Sequence, residues 1–131
     1  MNIKRIDHIV LTVTDIARTL RFYHEVFDMP IIAKGQTTGC VRCGHQLIEF
    51  QLSEQPQELA AQNPTTGSAA ICIITADPLE NVINHLASYY VPVIAGPLEK
   101  KGSEGKMTSI YIKDYDQNLL EIASYRKFKN C

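Results

Sequence analysis

No long hydrophobic run is present in this sequence: its apolar stretches are about as long as a β-strand, far short of the ~20 residues that span a bilayer. An excess of charge of one sign is also missing, since 13 basic residues face 14 acidic ones and the formal net charge is −1. The charges are well interspersed, which excludes a basic face for nucleic acid and a patch for an anionic membrane. The opening MNIKRIDH has no apolar signal region, so a cytoplasmic location is expected. Cysteine is scarce. Cys40 and Cys43 form a Cys-x-x-C pair, with Cys72 and Cys131 elsewhere. A redox pair of this kind opens a helix, and a zinc ribbon needs a second close pair. Here the pair lies in a strand-like stretch, where residues three apart point to opposite faces, so a structural role is expected. What remains is an ordinary globular composition, 45% hydrophobic and 21% charged over 131 residues, enough for one domain with a real core.

The chain repeats itself. Shifted by 62 positions, IDHIVLTVTDIARTLRFYHEVFDMPI lies over SAAICIITADPLENVINHLASYYVPV. Leu11 falls on Ile73, Asp15 on Asp77, Leu20 on Val82, Phe27 on Tyr89 and Pro30 on Pro92. Farther on, QLIEF (46–50) lies over NLLEI (118–122) at a shift of 72, so the second copy carries ten additional residues. The Gly- and Lys-rich AGPLEKKGSEGKM is the place for them and reads as a long loop. Each copy is therefore a β-α-β-β-β module: module one about 3–52, a polar linker about 53–67, and module two about 68–125. Ile16, Leu20, Tyr23 and Phe27 form the apolar face of the first helix, and Leu79, Val82, Ile83, Leu86 and Tyr90 that of the second. Asp15 and Asp77 are expected N-caps. His24, His45 and His85 sit at helix-face edges or in a turn, where structural roles are expected.

His8 is different, because it stands in the strand IDHIVLTV. Strand parity puts Ile6, His8, Val10 and Thr12 on one face, Leu47, Glu49 and Gln51 on one face of module one's last strand, and Leu119, Glu121 and Ala123 on the equivalent face of module two. Glu49 and Glu121 are repeat equivalents, each a carboxylate within an apolar strand, and the equivalent of His8 is Ala70. Unpaired carboxylates are costly to bury, and an inward histidine offers a shared divalent cation as the resolution. The competing reading places both glutamates on a solvated face, with His8 a hydrogen-bonded core residue.

IDHIVLTVTDIARTLRFYHEVFDM resembles the opening signature of the vicinal oxygen chelate superfamily, which includes glyoxalase I, bleomycin- and fosfomycin-resistance proteins and extradiol dioxygenases. DYDQNLLEIASY resembles its closing strand, whose Glu is a metal ligand, and PLEKKGSEGKMTSIYIKD is similar to the small single-domain glyoxalase-like branch. The likeness runs from about Ile3 to Tyr125. It implies an α+β fold, two tandem βαβββ modules forming a curled mixed β-sheet cup within one glyoxalase-like domain over 1–131, and a homodimer. It also implies metal ligands at His8, at Glu49 or its same-face neighbour Gln51, at Ala70 and at Glu121. Ala70 departs from the pattern, because a methyl group ligates nothing. Asp28 and Gln117 replace common glycines and Tyr115 a common proline.

The function that follows is a divalent-metal-dependent lyase or isomerase of the lactoylglutathione-lyase-like type, acting on a small α-oxygenated substrate. The ion would be Ni, Zn, Mn or Fe, with Glu121 or Glu49 moving the proton. A ring-cleaving dioxygenase is disfavoured, since two histidines and a carboxylate are not available by position. The alternative is a metal-free sequestering protein of the bleomycin-resistance type, whose cup holds a hydrophobic ligand. Closure of the Gly96–Lys106 loop over an acidic substrate is a further expectation.

Overall fold

The computed structural model describes residues 1–127, so Cys131 lies outside the described residues. The elements follow in the order β1 (His8–Val13), α1 (Ile16–Phe27), β2 (Ile31–Lys34), β3 (Thr38–Cys43), β4 (Gln46–Leu52), β5 (Ala70–Ile74), α2 (Leu79–Ser88), β6 (Ala95–Gly102), β7 (Gly105–Lys113) and β8 (Leu119–Ser124). They form two compact units, one of residues 1–69 with Tyr115–Gln117, the other of Ala70–Asp114 with, among the described residues, 118–127. Each unit holds one four-stranded mixed sheet, ordered β1-β4-β3-β2 in the first and β5-β8-β7-β6 in the second. The fold is α+β, two tandem βαβββ modules, as the repeat predicts.

In the first unit β1 runs parallel to β4, and β3 is antiparallel to β4 and β2. Leu11, Val13, Ile48, Phe50 and Val41 are buried together with Ile16, Leu20, Tyr23 and Val26 of α1, and the Tyr23 and Phe50 rings lie 5.1 Å apart. The helix lies close on the sheet at Gly39, where a Cβ would come within 3.0 Å of Ile16 and 3.1 Å of Leu20. Asp15 caps α1 as expected, its carboxylate accepting from the Arg18 amide at 3.0 Å. The helix ends at Asp28 in a left-handed conformation, φ 56°, which explains why the resembling signature has glycine there. Tyr115–Gln117 is tied to this unit: the Thr14 hydroxyl donates to Asp116 at 2.8 Å, and the Arg18 guanidinium lies 3.1 Å from the Tyr115 ring centroid.

In the second unit β5 runs parallel to β8, and β7 is antiparallel to β8 and β6. Ile110, Ile112, Leu120, Ile122, Leu79 and Leu86 are buried. The buried Asp114 carboxylate accepts from both the backbone and the side-chain amide of buried Asn118, each at 2.9 Å, closing the β7–β8 connection.

Three sequence expectations are corrected here. Pro78 rather than Asp77 is the N-cap of α2, with no side-chain cap bond, and the Asp77 amide donates to the Thr75 hydroxyl. Tyr90 lies beyond the end of α2 at φ 58° and is 94% exposed, so it is no part of the helix's apolar face. The Gly96–Lys106 segment is no long loop: it pairs as the β6–β7 hairpin, with Gly102 opposite Gly105 and Gly105 at φ 123° making the tight return. The ten additional residues extend two strands instead of forming a lid, because backbone pairing satisfies their amides better than a solvated loop.

Candidate functional site

Register places the candidate residues on rungs. Across β1, β4 and β3 the rungs read His8–Leu47–Arg42, Val10–Glu49–Cys40 and Thr12–Gln51–Thr38. Across β5, β8 and β7 they read Ala70–Leu119–Lys113, Cys72–Glu121–Tyr111 and Ile74–Ala123–Ser109. Partners on one rung share a face of the sheet. The equivalences Glu49 with Glu121 and His8 with Ala70, read from the shifts of 62 and 72, are thus reproduced by the hydrogen-bond ladders.

In the first unit the structure brings His8 and Glu49 together. His8 Nε2 lies 3.4 Å from Glu49 Oε2, with the two side chains 44% and 30% exposed. The other ring nitrogen, Nδ1, is 2.9 Å from the Asp7 carboxylate. Asp7 was not singled out in the sequence; the signal for it was the D-H dipeptide itself, which sets a carboxylate beside the imidazole. The hydrogen bond to Asp7 raises the His8 pKa, helped by the charge of Glu49, and the same bond lowers that of Asp7. With Nδ1 donating to Asp7, Nε2 presents a lone pair to a carboxylate oxygen. Two acceptors so placed require a positive charge between them, either a proton on Nε2 or a cation.

Gln51, the neighbour of Glu49 on the same face, is placed differently. It is 3% exposed, its amide nitrogen donates to the Thr12 hydroxyl at 3.1 Å, and its carbonyl accepts from the Gln57 amide at 2.9 Å. Cys40 stands beside Glu49 and is buried, its thiol pKa raised by desolvation and then by that carboxylate. Cys43 is of the opposite parity and half-buried.

In the second unit Glu121 is half-buried and accepts a 2.5 Å hydrogen bond at Oε2 from the hydroxyl of fully buried Ser109. Cys72 stands beside Glu121 in register, and desolvation together with that carboxylate pushes its thiol pKa up to about 11. Neither Ser109 nor Cys72 was found by sequence reasoning, because both depend on which strand lies beside β8. Among the remaining histidines, His24 Nδ1 is 2.8 Å from the Met29 carbonyl and the His85 ring packs against that of Tyr89.

The donor chemistry of His8 and Glu49, one imidazole nitrogen oriented by an outer carboxylate and one carboxylate oxygen, fits a divalent transition metal. Among the described residues no three His, Cys, Asp or Glu side chains form a ready cage, so this is a two-donor pair and no closed structural site.

The family model described as the Glyoxalase/Bleomycin resistance protein/Dioxygenase superfamily matches residues 5–122. The chain is 41% identical over 125 residues to a virulence protein of Salmonella typhimurium, covering 95% of this chain and 87% of that one. It is 30% identical to a glyoxalase domain-containing protein of Mycosarcoma maydis, over 98% of this chain and 73% of that one. The crystal structure of the Salmonella protein superposes with a TM-score of 0.91 at 40% identity, covering 96% and 100% of the two chains. Lactoylglutathione lyase from Agrobacterium tumefaciens shares the fold alone, at a TM-score of 0.75 and 20% identity over 95% and 96% of the chains. No helix among the described residues is long and apolar enough to cross a membrane. With the family model matched across almost all of its strands, this chain belongs to the glyoxalase/bleomycin resistance protein/dioxygenase superfamily.

Proposed function

We propose that the protein is a divalent-metal-dependent lyase or isomerase acting on a small α-oxygenated substrate. His8 and Glu49 are the candidate ligands of the first unit, and Glu121, at the rung equivalent to Glu49, is the candidate ligand and base of the second. The carrying observation is the approach of His8 Nε2 to Glu49 Oε2 at 3.4 Å while Nδ1 is occupied by Asp7. Of the two candidates on β4, Glu49 takes the role, since both ends of the Gln51 amide are already engaged. When bound, the cation supplies Lewis acidity at the substrate's oxygens. Asp7 accepts from Nδ1–H and so holds the imidazole in the tautomer whose Nε2 lone pair is available to a cation. A half-buried carboxylate, Glu49 in the first unit or Glu121 in the second, is the candidate base that takes a proton from the carbon beside the substrate's oxygen and returns it to the product.

A second reading, a metal-free protein that sequesters an apolar ligand, is favoured by the absence of a three-donor cage among the described residues. Metal analysis of protein purified without affinity tag or chelator separates the two. Near-stoichiometric metal, with a melting shift on adding Ni, Zn, Mn or Fe(II) that disappears in His8→Ala and Glu49→Gln, supports the enzyme. At a metal concentration of 100 Kd the stabilisation should be about 2.7 kcal/mol. No metal, and no shift with any ion, overturns the enzyme reading in favour of the sequestering protein.

A further inference from the structure

The sheet face that bears His8 and Glu49 also carries a cation. Arg42 stands on β3 opposite Leu47, and Leu47 stands on β4 opposite His8, so the guanidinium and the imidazole belong to one rung and one face. Helix α1 lies on the other face, where Val41, Ile48 and Phe50 are buried. Arg42 is exposed, and among the described residues its side chain makes no hydrogen bond and no ion pair. Glu49 is its diagonal neighbour, about 7–8 Å away between backbones, yet that carboxylate approaches His8 instead. The charge of Arg42 is felt along the strand: the Cys40 thiol pKa, raised by desolvation and by Glu49, is held back by Arg42.

We infer that Arg42 is the specificity-determining residue for an anionic group on the substrate, a carboxylate or phosphoryl a few bonds from the α-oxygens that His8 and Glu49 serve. This deepens the proposed function, because it rests on the His8–Glu49 face being the one that meets substrate, with or without an ion bound. A planar guanidinium offers two parallel N–H donors, the fork that holds a carboxylate or phosphoryl group in a fixed orientation. Half-buried Leu47, between His8 and Arg42 on the rung, gives the connecting carbons an apolar seat. Charge complementarity points the same way. A dication on His8 and Glu49 would offset the negative charges of Asp7 and Glu49, which leaves Arg42 as the uncompensated charge beside them.

Three probes test this: hydroxyacetone, dihydroxyacetone phosphate and hydroxylevulinate share a hydroxyketone head and carry no anion, a phosphoryl and a carboxylate respectively. Each is titrated into the isotope-labelled full-length chain, with and without added Zn²⁺, and followed by amide resonances. At least one anionic probe should shift the amides of Cys40, Arg42 and Leu47 and bind about tenfold or more tighter than hydroxyacetone at low ionic strength. Which of the two does so names the anion. Arg42→Gln should cut that preference to about twofold or less, with thermal unfolding unchanged, and Arg42→Lys should keep part of it, as charge without the fork. Arg21→Gln, which removes an equal charge from an exposed position of α1, should leave the preference intact. Equal affinity for all three probes, a preference that survives Arg42→Gln, or no shift on β3 and β4 with any probe overturns the role of Arg42 and leaves the metal reading to its own test. A preference lost in Arg42→Gln both with and without Zn²⁺ upholds Arg42 even where metal analysis removes the enzyme.

Discussion

His8 sits between two carboxylates, and the geometry fixes how it titrates. Its pKa is raised above the ordinary 6.5, first by the hydrogen bond its Nδ1–H donates to Asp7 and then by the charge of Glu49. Asp7 is correspondingly held below 3.8 by His8. A raised imidazole contributes stability that is fully present below pH 6.5 and lost as pH rises through the folded-state value; a lowered carboxylate contributes above 3.8 and loses it as pH falls. In metal-free protein the pair therefore stabilises the fold between these limits, and Asp7→Asn should lower the melting temperature at pH 5 while leaving it unchanged at pH 9. The His8 ring-proton resonance should show a midpoint above 6.5 that drops in Asp7→Asn and drops less in Glu49→Gln. A midpoint unmoved by Asp7→Asn would remove Asp7 from its orienting role. Cys72 gives a complementary readout. With its pKa at about 11 against an ordinary 9.0, the thiolate fraction near neutral pH is ~100-fold below that of a free cysteine. Alkylation of metal-free protein by iodoacetamide should be slowed in proportion, and Glu121→Gln should recover part of the rate, since burial is the larger cause. Parity alone made His8, Glu49 and Glu121 legible in the sequence, because a polar residue in an apolar strand stands out by itself. Ser109 and Cys72 were not legible, as each matters through a neighbour on another strand. Gln51 looked equal to Glu49 because the amide that occupies it comes from Gln57, in a segment with no periodicity to read.

The helices and turns show where a motif's residue type stands in for a backbone geometry. Asp15 and Asp77 are repeat equivalents, yet only Asp15 accepts from a helix amide, because α2 begins one residue later, at Leu79, so that Pro78 and not Asp77 takes the N-cap position. Asp15→Ala should cost about 1 kcal/mol in chemical denaturation, whereas Asp77→Ala should fall within about 0.5 kcal/mol of zero. Equal losses would mean that the second aspartate caps after all. Asp28 at φ 56° and Gln117 at φ 72° occupy positions where the resembling signatures have glycine. A side chain in that region costs about 1–2 kcal/mol, against which glycine's greater freedom in the unfolded chain loses about 0.5–1. Gln117→Gly should therefore stabilise by up to about 1 kcal/mol, and Asp28→Gly by less, since aspartate tolerates this conformation best. Thermal melts of the two variants check the order. Strand and helix existence was readable because the periods of two and 3.6 persist through each module. The β6–β7 hairpin was not, because its glycines and lysines are a loop's composition, and only the pairing partner shows that the backbone is extended.

The whole chain is one module written twice and then edited unevenly. Its copies agree in strand order, in the parallel pairing of first and last strands, and in the carboxylate at the same rung. They differ where chemistry is set: the Asp7-His8 dipeptide of the first module is Ala69-Ala70 in the second. If the rung equivalence is as close as the ladders indicate, the missing donor can be written back. A histidine at position 70 would stand to Glu121 as His8 stands to Glu49, one rung from the carboxylate on the same face of a parallel pair. Ala70→His should therefore tighten Ni²⁺ or Zn²⁺ binding by about tenfold, which adds about 1.4 kcal/mol to the metal-linked stabilisation at a fixed ion concentration. In a chain of this size that is a rise of about 2–6 °C in the metal-loaded melting temperature, with no rise in the metal-free protein. Adding Ala69→Asp should tighten binding further, by orienting the new imidazole as Asp7 orients His8. The gain must vanish when Glu121→Gln is combined with Ala70→His, because the new imidazole then has no carboxylate to share an ion with. A gain that persists without Glu121 would come from a surface histidine, and the equivalence of the two rungs would be formal only.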